Sequence, residues 1–374
     1  MKILGKTALA FSALALFSGC ATYPPTTGPV ITEKTAALTT VGQFQDQVTG
    51  VAVSSAGRIF VNFPRWGEEP RYSVAELLPD GTLRPYPDAE WNRRGTDTRP
   101  DSHFVCVQSV YVDADDNLWI LDPASPSFSG VVAGGAKLLR VNLDTDQVEQ
   151  VIRFSDRVAP RQSYLNDVRV DPDTEVAYLT DSGMGALVVV DLETGESRRV
   201  LAGDRSTLAE PDVVPVIGGK ELRDGAGKVP KINADGIALD PDGKYLYYHA
   251  LTGKTLYRIG TDYLNDPTLL PEDLALRVEK VAVTRPTDGM EMGSGGTLYW
   301  TSLEENAVNY RRPDGSSGTV IASSSILWPD SLAIGPDRYL YFTASQIHLS
   351  PRFNGGIDRT VLPYRLFKVW VAPF

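Results

Sequence analysis

Six polar residues recur at the start of similar short apolar segments, and together they are the residues of this chain that could do chemistry. They are Thr49, Gln108, Asn166, Asp235, Asp288 and Asp330, with Asp167 directly after the third. If the fold brings these positions together, several carboxylates crowd one site, and like charges at close range raise their pKa values or require a cation. Carboxylate and amide oxygens suit hard divalent cations such as Ca²⁺, Mg²⁺ and Mn²⁺.

Each of these residues also has a purely local interpretation. Asp and Asn before a strand commonly accept hydrogen bonds from nearby backbone N–H groups. For one residue alone this turn role is the simpler explanation, and only the sixfold recurrence favours a shared site. Other catalytic signatures are absent: the sequence has no Gly-x-Ser-x-Gly elbow, no His-Glu-x-x-His, no Cys-x-x-Cys and no phosphate loop.

Aromatic and basic residues adjoin the polar positions. Arg65 and Trp66 directly follow the second strand of the first copy, and Trp328 lies two residues before Asp330. A small-molecule pocket combines an apolar rim with a few polar groups. These residues are therefore candidate ligand-binding groups, together with Gln108 and Asn166. The alternative for each tryptophan is packing between repeats.

The polar positions each open a two-strand phrase, and the six copies predict the fold. A strand alternating apolar and small residues is followed by a tight turn and an aromatic-rich strand, as in 166–179 and 235–248. Successive copies start 42 to 69 residues apart, a spacing typical of repeated supersecondary units. Asp- and Gly-rich turns such as 79–81 and 193–195 indicate further hairpins. We predict an all-β fold, a six-bladed β-propeller whose inner strands surround a central channel.

Two segments complete this interpretation. The last copy lacks one strand after 364–371, and a segment near 35–42 is predicted to supply it and close the ring. The propeller is assigned to residues 36–374. A stretch rich in Gly, Pro and Asp, 210–231, is either a lid over one mouth of the channel or a solvated loop without a role.

The amino-terminal segment predicts export. Lys2 and Lys6 precede an apolar run over 8–17 that is too short to span a bilayer as a helix. Phe-Ser-Gly-Cys follows at 17–20 and resembles a bacterial lipoprotein cleavage box, with Cys20 as the lipidated residue. We predict a signal peptide over 1–19 and a Pro/Thr-rich tether over 20–35.

These features predict where the protein resides. A lipid at Cys20 would be its only membrane contact and would hold it on the bacterial cell envelope, facing the periplasm or the exterior. Ordinary secretory cleavage, which gives a secreted protein, is the alternative. The formal net charge of −11 argues against nucleic acid as a partner. We expect a monomer whose partner is a small molecule. The remaining cysteine, Cys106, is interpreted as a small buried apolar residue.

The chain resembles the yellow/major royal jelly protein family, in its bacterial branch, over about residues 40–374. The resemblance rests on the following segments: Phe-Val-Asn-Phe-Pro-Arg-Trp at 60–66, Tyr-Pro-Asp at 86–88, 107–110 with 118–122, 165–168 with 178–183, and 235–239 with 246–248 and 256–258. The resemblance implies a secreted six-bladed propeller. It also implies that small aromatic amines can bind in the channel, and it links insect relatives to dopachrome conversion.

A more distant resemblance is to sugar lactonases of the gluconolactonase type. It rests on 233–244, on Asp-Gly-Met at 288–290 and on Asn-Asp at 166–167. It implies a divalent cation (Ca²⁺, Mn²⁺, Zn²⁺ or Mg²⁺) on Asn166, Asp235 and Asp288. The glutamate ligand that these enzymes carry in their first blade has no counterpart, because Thr49 stands there.

The two resemblances lead to two hypotheses. The first is an exported propeller that binds a small aromatic or cationic ligand in its channel and needs no cofactor. Its ligand-binding residues are Arg65, Trp66, Gln108, Asn166, Trp328 and Asp330. The alternative is a metal-dependent lactone hydrolase or a dopachrome-type isomerase, with Asp167, Asp235 and Asp288 as catalytic residues. In that case the cation polarises a carbonyl and a neighbouring carboxylate serves as general base.

Overall fold

The structure, a computed structural model, describes residues 37–371, and most of its strands form six four-stranded antiparallel sheets. The first strand along the chain is β1 (Thr39–Phe44). Blade one consists of β2 (Gly50–Val53), β3 (Ile59–Asn62), β4 (Val74–Leu77) and β5 (Leu83–Pro85). Blade two consists of β6 (Ser109–Val112), β7 (Asn117–Asp122), β8 (Lys137–Asn142) and β9 (Gln147–Arg153). Blade three consists of β10 (Leu165–Asp171), β11 (Val176–Asp181), β12 (Ala186–Asp191) and β13 (Ser197–Val200).

The second half begins with a short hairpin, β14 (Val216–Ile217) and β15 (Lys220–Glu221). Blade four consists of β16 (Ala234–Leu239), β17 (Tyr245–Ala250), β18 (Thr255–Gly260) and β19 (Glu279–Val283), with the helices α1 (Thr261–Asn265) and α2 (Pro271–Ala275) before the last strand. Blade five consists of β20 (Met290–Met292), β21 (Leu298–Ser302), β22 (Ala307–Arg311) and β23 (Ser317–Ala322). Blade six contains β24 (Pro329–Ile334), β25 (Tyr339–Ala344) and β26 (Tyr364–Trp370). Single 3-10 turns lie at Pro126–Phe128, Ile347–Leu349 and Pro351–Phe353.

The first strands of the six blades contact one another in a closed ring. In order around the axis they are β2, β6, β10, β16, β20 and β24, and β24 contacts β2 again. Within every blade the following strands pair outward in sequence order. The predicted six-bladed β-propeller is therefore confirmed.

The ring closes through a strand from the other end of the chain. β1 pairs antiparallel with β26, from Thr39 opposite Lys368 to Phe44 opposite Tyr364, and so becomes the fourth strand of blade six. This confirms closure by an amino-terminal strand, although the strand lies a few residues later than the predicted 35–42. The pairing joins both ends of the described chain in one blade and so holds the ring closed.

Hydrophobic clusters lie between blades rather than within them. Leu118 and Ile120 of blade two pack with Phe60 of blade one, and Tyr178 of blade three packs with Tyr248 of blade four. Each sheet therefore buries both faces against its neighbours. Cys106 is 1% exposed, and burial raises the pKa of its thiol to about 12, which agrees with its interpretation as a buried apolar residue.

The long Gly- and Pro-rich stretch is partly ordered by its own hairpin. Ile217 and Leu222 are buried in one cluster with Leu303 and Trp328, and the backbone N–H of Val216 donates to Glu304 at 2.9 Å. The segment thus packs over the residues around Trp328, as a lid would. In the described part of the chain no helix is long and apolar enough to cross a membrane. The predicted signal peptide, Cys20 and the whole predicted tether lie outside the described residues.

Candidate functional site

Glycines after the polar positions let the inner strands approach closely at the axis. A Cβ on Gly236 would lie 2.2 Å from the Asp288 carbonyl oxygen, and one on Gly289 would lie 2.2 Å from the Asp330 carbonyl oxygen. The Gly289 N–H donates to that same Asp330 carbonyl at 3.0 Å. Because only glycine leaves room for this approach, the Asp-Gly pairs bring carboxyl groups of adjacent blades together.

Replacing Gly289 by Ala is expected to destabilise the fold by about 1–3 kcal/mol, the usual cost of overpacking a filled interior. The new methyl group would press on backbone atoms of blade six, which cannot rotate away. Urea unfolding measures the change. Gly225→Ala is the matched control, because its Cβ would have no neighbour within 4 Å, and its stability should stay within about 0.5 kcal/mol of wild type. Equal effects of both substitutions would contradict the tight approach.

Three carboxyl groups, Asp235, Asp288 and Asp330, are called here the axial carboxylates. Their residues are 3%, 7% and 4% exposed. Asp235 and Asp288 are hydrogen-bonded to each other, and the side-chain amide of Asn166 donates to Asp235 Oδ1. The Trp328 indole N–H donates to Asp288 Oδ2 at 2.6 Å, whereas Asp330 Oδ2 has no hydrogen-bond partner. The structure thus brings together most of the residues that the sequence nominated.

The axial carboxylates have raised pKa values. Burial, and then the charge of Asp288, raise the pKa of Asp235 and of Asp330 well above the ordinary range. Burial raises the pKa of Asp288 to about 7, against the opposing hydrogen bonds from Trp328 and Asp235. Among the described residues no Lys, Arg or His forms an ion pair with any of the three. Such a group must hold protons or receive a cation.

An aromatic cap, defined as Trp66, Phe128 and Tyr164, adjoins the polar positions. The Trp66 indole N–H donates to the Tyr164 hydroxyl at 2.6 Å, and that hydroxyl donates to Gln108 Oε1 at 2.8 Å. The Phe128 ring lies 5.1 Å from both other rings, and the Arg352 guanidinium lies 4.7 Å above Phe128. Trp66 and Gln108 are thereby joined through a tyrosine that sequence reasoning missed.

The backbone at these aromatic residues is unusual. Phe128 and Trp328 have φ values of +55°, in the left-handed region that bulky residues rarely occupy. Trp328 is 1% exposed and stacks on His348 with ring centres 6.0 Å apart. Strained conformations of this kind persist where the surrounding structure holds them, and they concentrate at functional sites. A signal for Tyr164 exists in the sequence, since it precedes Asn166 by two residues, just as Trp328 precedes Asp330.

Three other nominated residues have partners of their own. The Arg65 side chain is 43% exposed and pairs with Glu69 at 3.5 Å. Asp167 is hydrogen-bonded to Ser109 and lines a cavity with Arg169, and its charge contributes to the raised pKa values of all three axial carboxylates. Thr49 is fully buried, and its hydroxyl accepts a hydrogen bond from Asn62 at 3.1 Å. Blade one therefore contributes no carboxylate to the site.

A metal ion at the axis would need several oxygen ligands that point to one place. Among residues 37–371 no group of three or more His, Cys, Asp or Glu side chains is placed to hold one. Asp235 and Asp288 bond to each other, and Asn166 turns its amide N–H₂ rather than its oxygen toward Asp235. These residues do not fit a metal in this arrangement, and the metal-ligand assignment stays a prediction.

Fold and site together define a six-bladed propeller with a buried acidic group at its axis. The sequence model of the family described as Major royal jelly protein matches residues 105–353, and the chain belongs to that family. It is 28% identical to Major royal jelly protein 5 of Apis mellifera over 222 residues, 55% of this chain and 34% of that protein. It is 21% identical to Major royal jelly protein 6 of the same species over 250 residues, 63% of this chain and 53% of that protein. The chain thus spans only about a third to a half of these relatives.

Solved structures share the fold at low sequence identity. A gluconolactonase from Xanthomonas campestris superposes with a TM-score of 0.55 at 14% identity, covering 89% of this chain and 90% of that one. Regucalcin from Agrobacterium tumefaciens, a calcium-binding protein, gives 0.52 at 15% identity, covering 88% and 95%. A luciferin-regenerating enzyme gives 0.55 at 10% identity, covering 90% and 95%. At these identities the likeness shows the fold alone.

Proposed function

We propose that this propeller binds a small organic cation, an amine with an aromatic or apolar body, at the axial carboxylates. The observation that carries the proposal is the set of three buried carboxyl groups that have no basic partner among the described residues, one of which accepts from the Trp328 indole. A buried carboxylate is costly unless it is paired. An ammonium group arriving from solvent supplies the missing pairing.

The donor and acceptor pattern supports an amine. An ammonium group offers three N–H donors and no acceptor, and ionised carboxylates are acceptors only. Asp330 Oδ2 is a buried acceptor without a partner, so one ammonium N–H has a ready position. Binding would displace the protons that Asp235 and Asp288 share in the unliganded protein.

The aromatic residues support the apolar part of the ligand. Phe128 is 44% exposed, so its ring is accessible to solvent at one mouth of the channel. The Arg352 guanidinium already lies on that ring, which shows that the rim accommodates a cation over an aromatic face. A ligand with an aromatic body could stack at this rim while its ammonium group reaches inward.

A matched pair of ligands tests the proposal. We expect 2-phenylethylamine to bind at least about tenfold more tightly than 2-phenylethanol, because a charge-assisted hydrogen bond contributes roughly 1.5–3 kcal/mol. The two molecules share shape and apolar area and differ in charge. Isothermal titration calorimetry near neutral pH measures both affinities. Equal affinities, or binding of neither ligand by folded protein, would contradict the proposal.

We also propose that the protein is exported as a lipid-anchored monomer through Cys20. The basic start, the short apolar run and the Ser-Gly-Cys sequence at 18–20 support this, and the acidic composition suits a free-standing binding protein. Replacing Cys20 by Ala and following detergent partitioning tests the anchor. Partitioning that does not change in the variant would argue against lipidation.

A second candidate is a metal-dependent lactone hydrolase or dopachrome-type isomerase. One specific observation favours this candidate: Asp330 has a carboxyl oxygen without a hydrogen-bond partner, and two further carboxyl groups lie nearby. Carboxylate oxygens are the ligands that hard divalent cations prefer. The carboxyl groups do not converge on one point, and Asp235 and Asp288 bond to each other instead. Lactone and dopachrome assays after Ca²⁺, Mn²⁺ or Zn²⁺ loading, with chelator as control, test this candidate. Absence of turnover with every metal would exclude it.

A further inference from the structure

The channel holds a second polar region at the carboxyl-terminal halves of the inner strands. A cavity of about 260 Å³ lies there, called here the carboxyl-end cavity, and inner-strand residues of five blades contribute to its wall. Its polar lining comprises Ser109, Tyr111, Asp167, Arg169, Glu291, Ser294 and Ser331. Ser294 is exposed, so the cavity reaches the surface. None of the axial carboxylates or aromatic-cap residues lines it.

Arg169 is the central side chain of this cavity, and one of its donors is unused. The residue is 5% exposed. Its Nη1 donates to the Val168 carbonyl at 2.7 Å, and its Nη2 donates to the Met290 carbonyl and lies 3.2 Å from Glu291 Oε2. The guanidinium lies 4.8 Å from the centre of the Tyr111 ring. Its Nε–H has no partner, and a buried donor left unpaired is costly.

The charge and hydrogen-bonding pattern selects a class of ligand. Arg169 and Glu291 neutralise each other, and the surrounding hydroxyl groups can both donate and accept. An amine has no acceptor to offer Arg169 Nε, and a carboxylate would face Asp167 and Glu291. A hydroxyl-rich neutral molecule satisfies both requirements, since each hydroxyl accepts from Arg169 or donates to a carboxylate. The cavity has room for roughly nine waters' volume, which suits a molecule of monosaccharide size.

We infer that the carboxyl-end cavity is a second binding site, separate from the axial carboxylates, and that it takes a small neutral polyol. The inference does not depend on the amine proposal, because the two sites use different side chains. Asp167 and Glu291 are the two carboxyl groups that line this cavity.

Myo-inositol, a neutral ring with six hydroxyl groups, is the probe. Saturation-transfer difference NMR on the whole protein should show its binding to wild type. Arg169→Lys keeps the charge but removes the Nε donor, and Ser331→Ala removes a lining hydroxyl without adding bulk. Each is expected to weaken binding at least about tenfold, the effect of losing one hydrogen bond to a charged or buried group.

Matched controls separate a site effect from a general one. Arg258 pairs with Glu279 at 2.7 Å and lies 4.2 Å from the Tyr245 ring, but on an outer strand, so Arg258→Lys should leave binding unchanged. Ser317→Ala on exposed β23 is the control for the serine. If Arg169→Lys does not fold by near-ultraviolet circular dichroism, Ser331→Ala decides alone.

Three outcomes would overturn the inference. The first is no saturation of myo-inositol by folded wild-type protein. The second is unchanged binding in the folded variants of the cavity. The third is competition between myo-inositol and 2-phenylethylamine, which would show a single shared site. Failure of the amine to bind, with myo-inositol bound as expected, would reject the proposed function and leave this inference standing.

Discussion

Asp288→Asn is expected to weaken binding of 2-phenylethylamine by at least about 30-fold and at the same time to stabilise the unliganded fold. The affinity loss corresponds to about 2 kcal/mol, in the range found when one partner of a buried charge pair is removed. Asparagine keeps the shape, and its oxygen can still accept from the Trp328 indole. What disappears is the negative charge that an ammonium group would meet.

The gain in stability follows from the raised pKa of Asp288. Its pKa is about 7 in the folded protein, above the ordinary value of 3.8, because the carboxyl is buried. A group with a raised folded pKa favours folding below its unfolded pKa, and this contribution is lost as the pH rises toward the folded pKa. Wild type should therefore lose about 1.4 kcal/mol per pH unit from this group between about pH 4 and pH 7.

Asp288→Asn has no carboxyl group to ionise at this position. The difference in unfolding free energy between the variant and wild type should therefore grow across this pH interval and then level off. Urea unfolding at several pH values measures it, and calorimetry measures the affinity. Asp314→Asn is the control, because Asp314 is an exposed turn residue that accepts from the Ser316 N–H at 2.8 Å. A variant at Asp288 that binds the amine normally and loses stability would show that this carboxyl has only a turn role.

The sequence was sufficient to predict the propeller because every blade repeats the same pattern of strands and turns. An inner strand of small and apolar residues, a tight turn and an aromatic second strand recur six times, and such units can bury both faces only by packing on copies of themselves. The closing strand was also predictable, since the last repeat was one strand short. Its register was not, because β1 carries only weak alternation, with exposed Thr39 and Thr40 at its start.

The axial carboxylates were predictable for the same reason, since equivalent positions of inner strands must meet at the axis. The aromatic cap was not. Phe128 and Arg352 are far apart in the sequence and meet through short 3-10 turns, one of them with left-handed backbone that no repeat encodes. Arg65 directly precedes Trp66, but the chain turns there, with the Trp66 N–H donating to the Pro64 carbonyl at 3.0 Å. The Arg65 side chain is 43% exposed and pairs with Glu69 instead.

A buried ion pair supports the segment that leads to Gln108. Lys137 and Asp122 have fully buried side chains, with Nζ 2.8 Å from Oδ2. The Lys137 ammonium also donates to the carbonyls of Pro100 and Gly135, at 3.0 and 2.9 Å. The Asp122 carboxylate accepts three backbone N–H groups, those of Val105, Cys106 and Ala124. Every donor and acceptor of the pair is thus satisfied.

Lys137→Met is expected to destabilise the protein by about 3–5 kcal/mol, because it leaves the Asp122 charge buried without its counter-ion. Lys368→Met is the matched control, since Lys368 pairs with Asp337 at 2.9 Å on the surface, where the side chains are 25% and 38% exposed. Removing that surface pair should cost about 1 kcal/mol or less. Urea unfolding compares the two variants directly.

Adding Asp122→Asn to Lys137→Met separates loss of charge pairing from loss of packing. The double variant removes the uncompensated charge and keeps an oxygen for the backbone N–H groups, so it should recover at least about 1 kcal/mol relative to Lys137→Met alone. A double variant that is less stable than the single one would mean that Asp122 acts mainly through its backbone hydrogen bonds.

Blade three contains a similar ion pair. Asp181 is the last residue of β11, just as Asp122 is the last residue of β7, and its carboxylate lies 2.6 Å from the Arg199 guanidinium. Asp181 accepts the Tyr164 N–H at 2.8 Å, so these two aspartates anchor the segments that carry Gln108 and Tyr164 into the site.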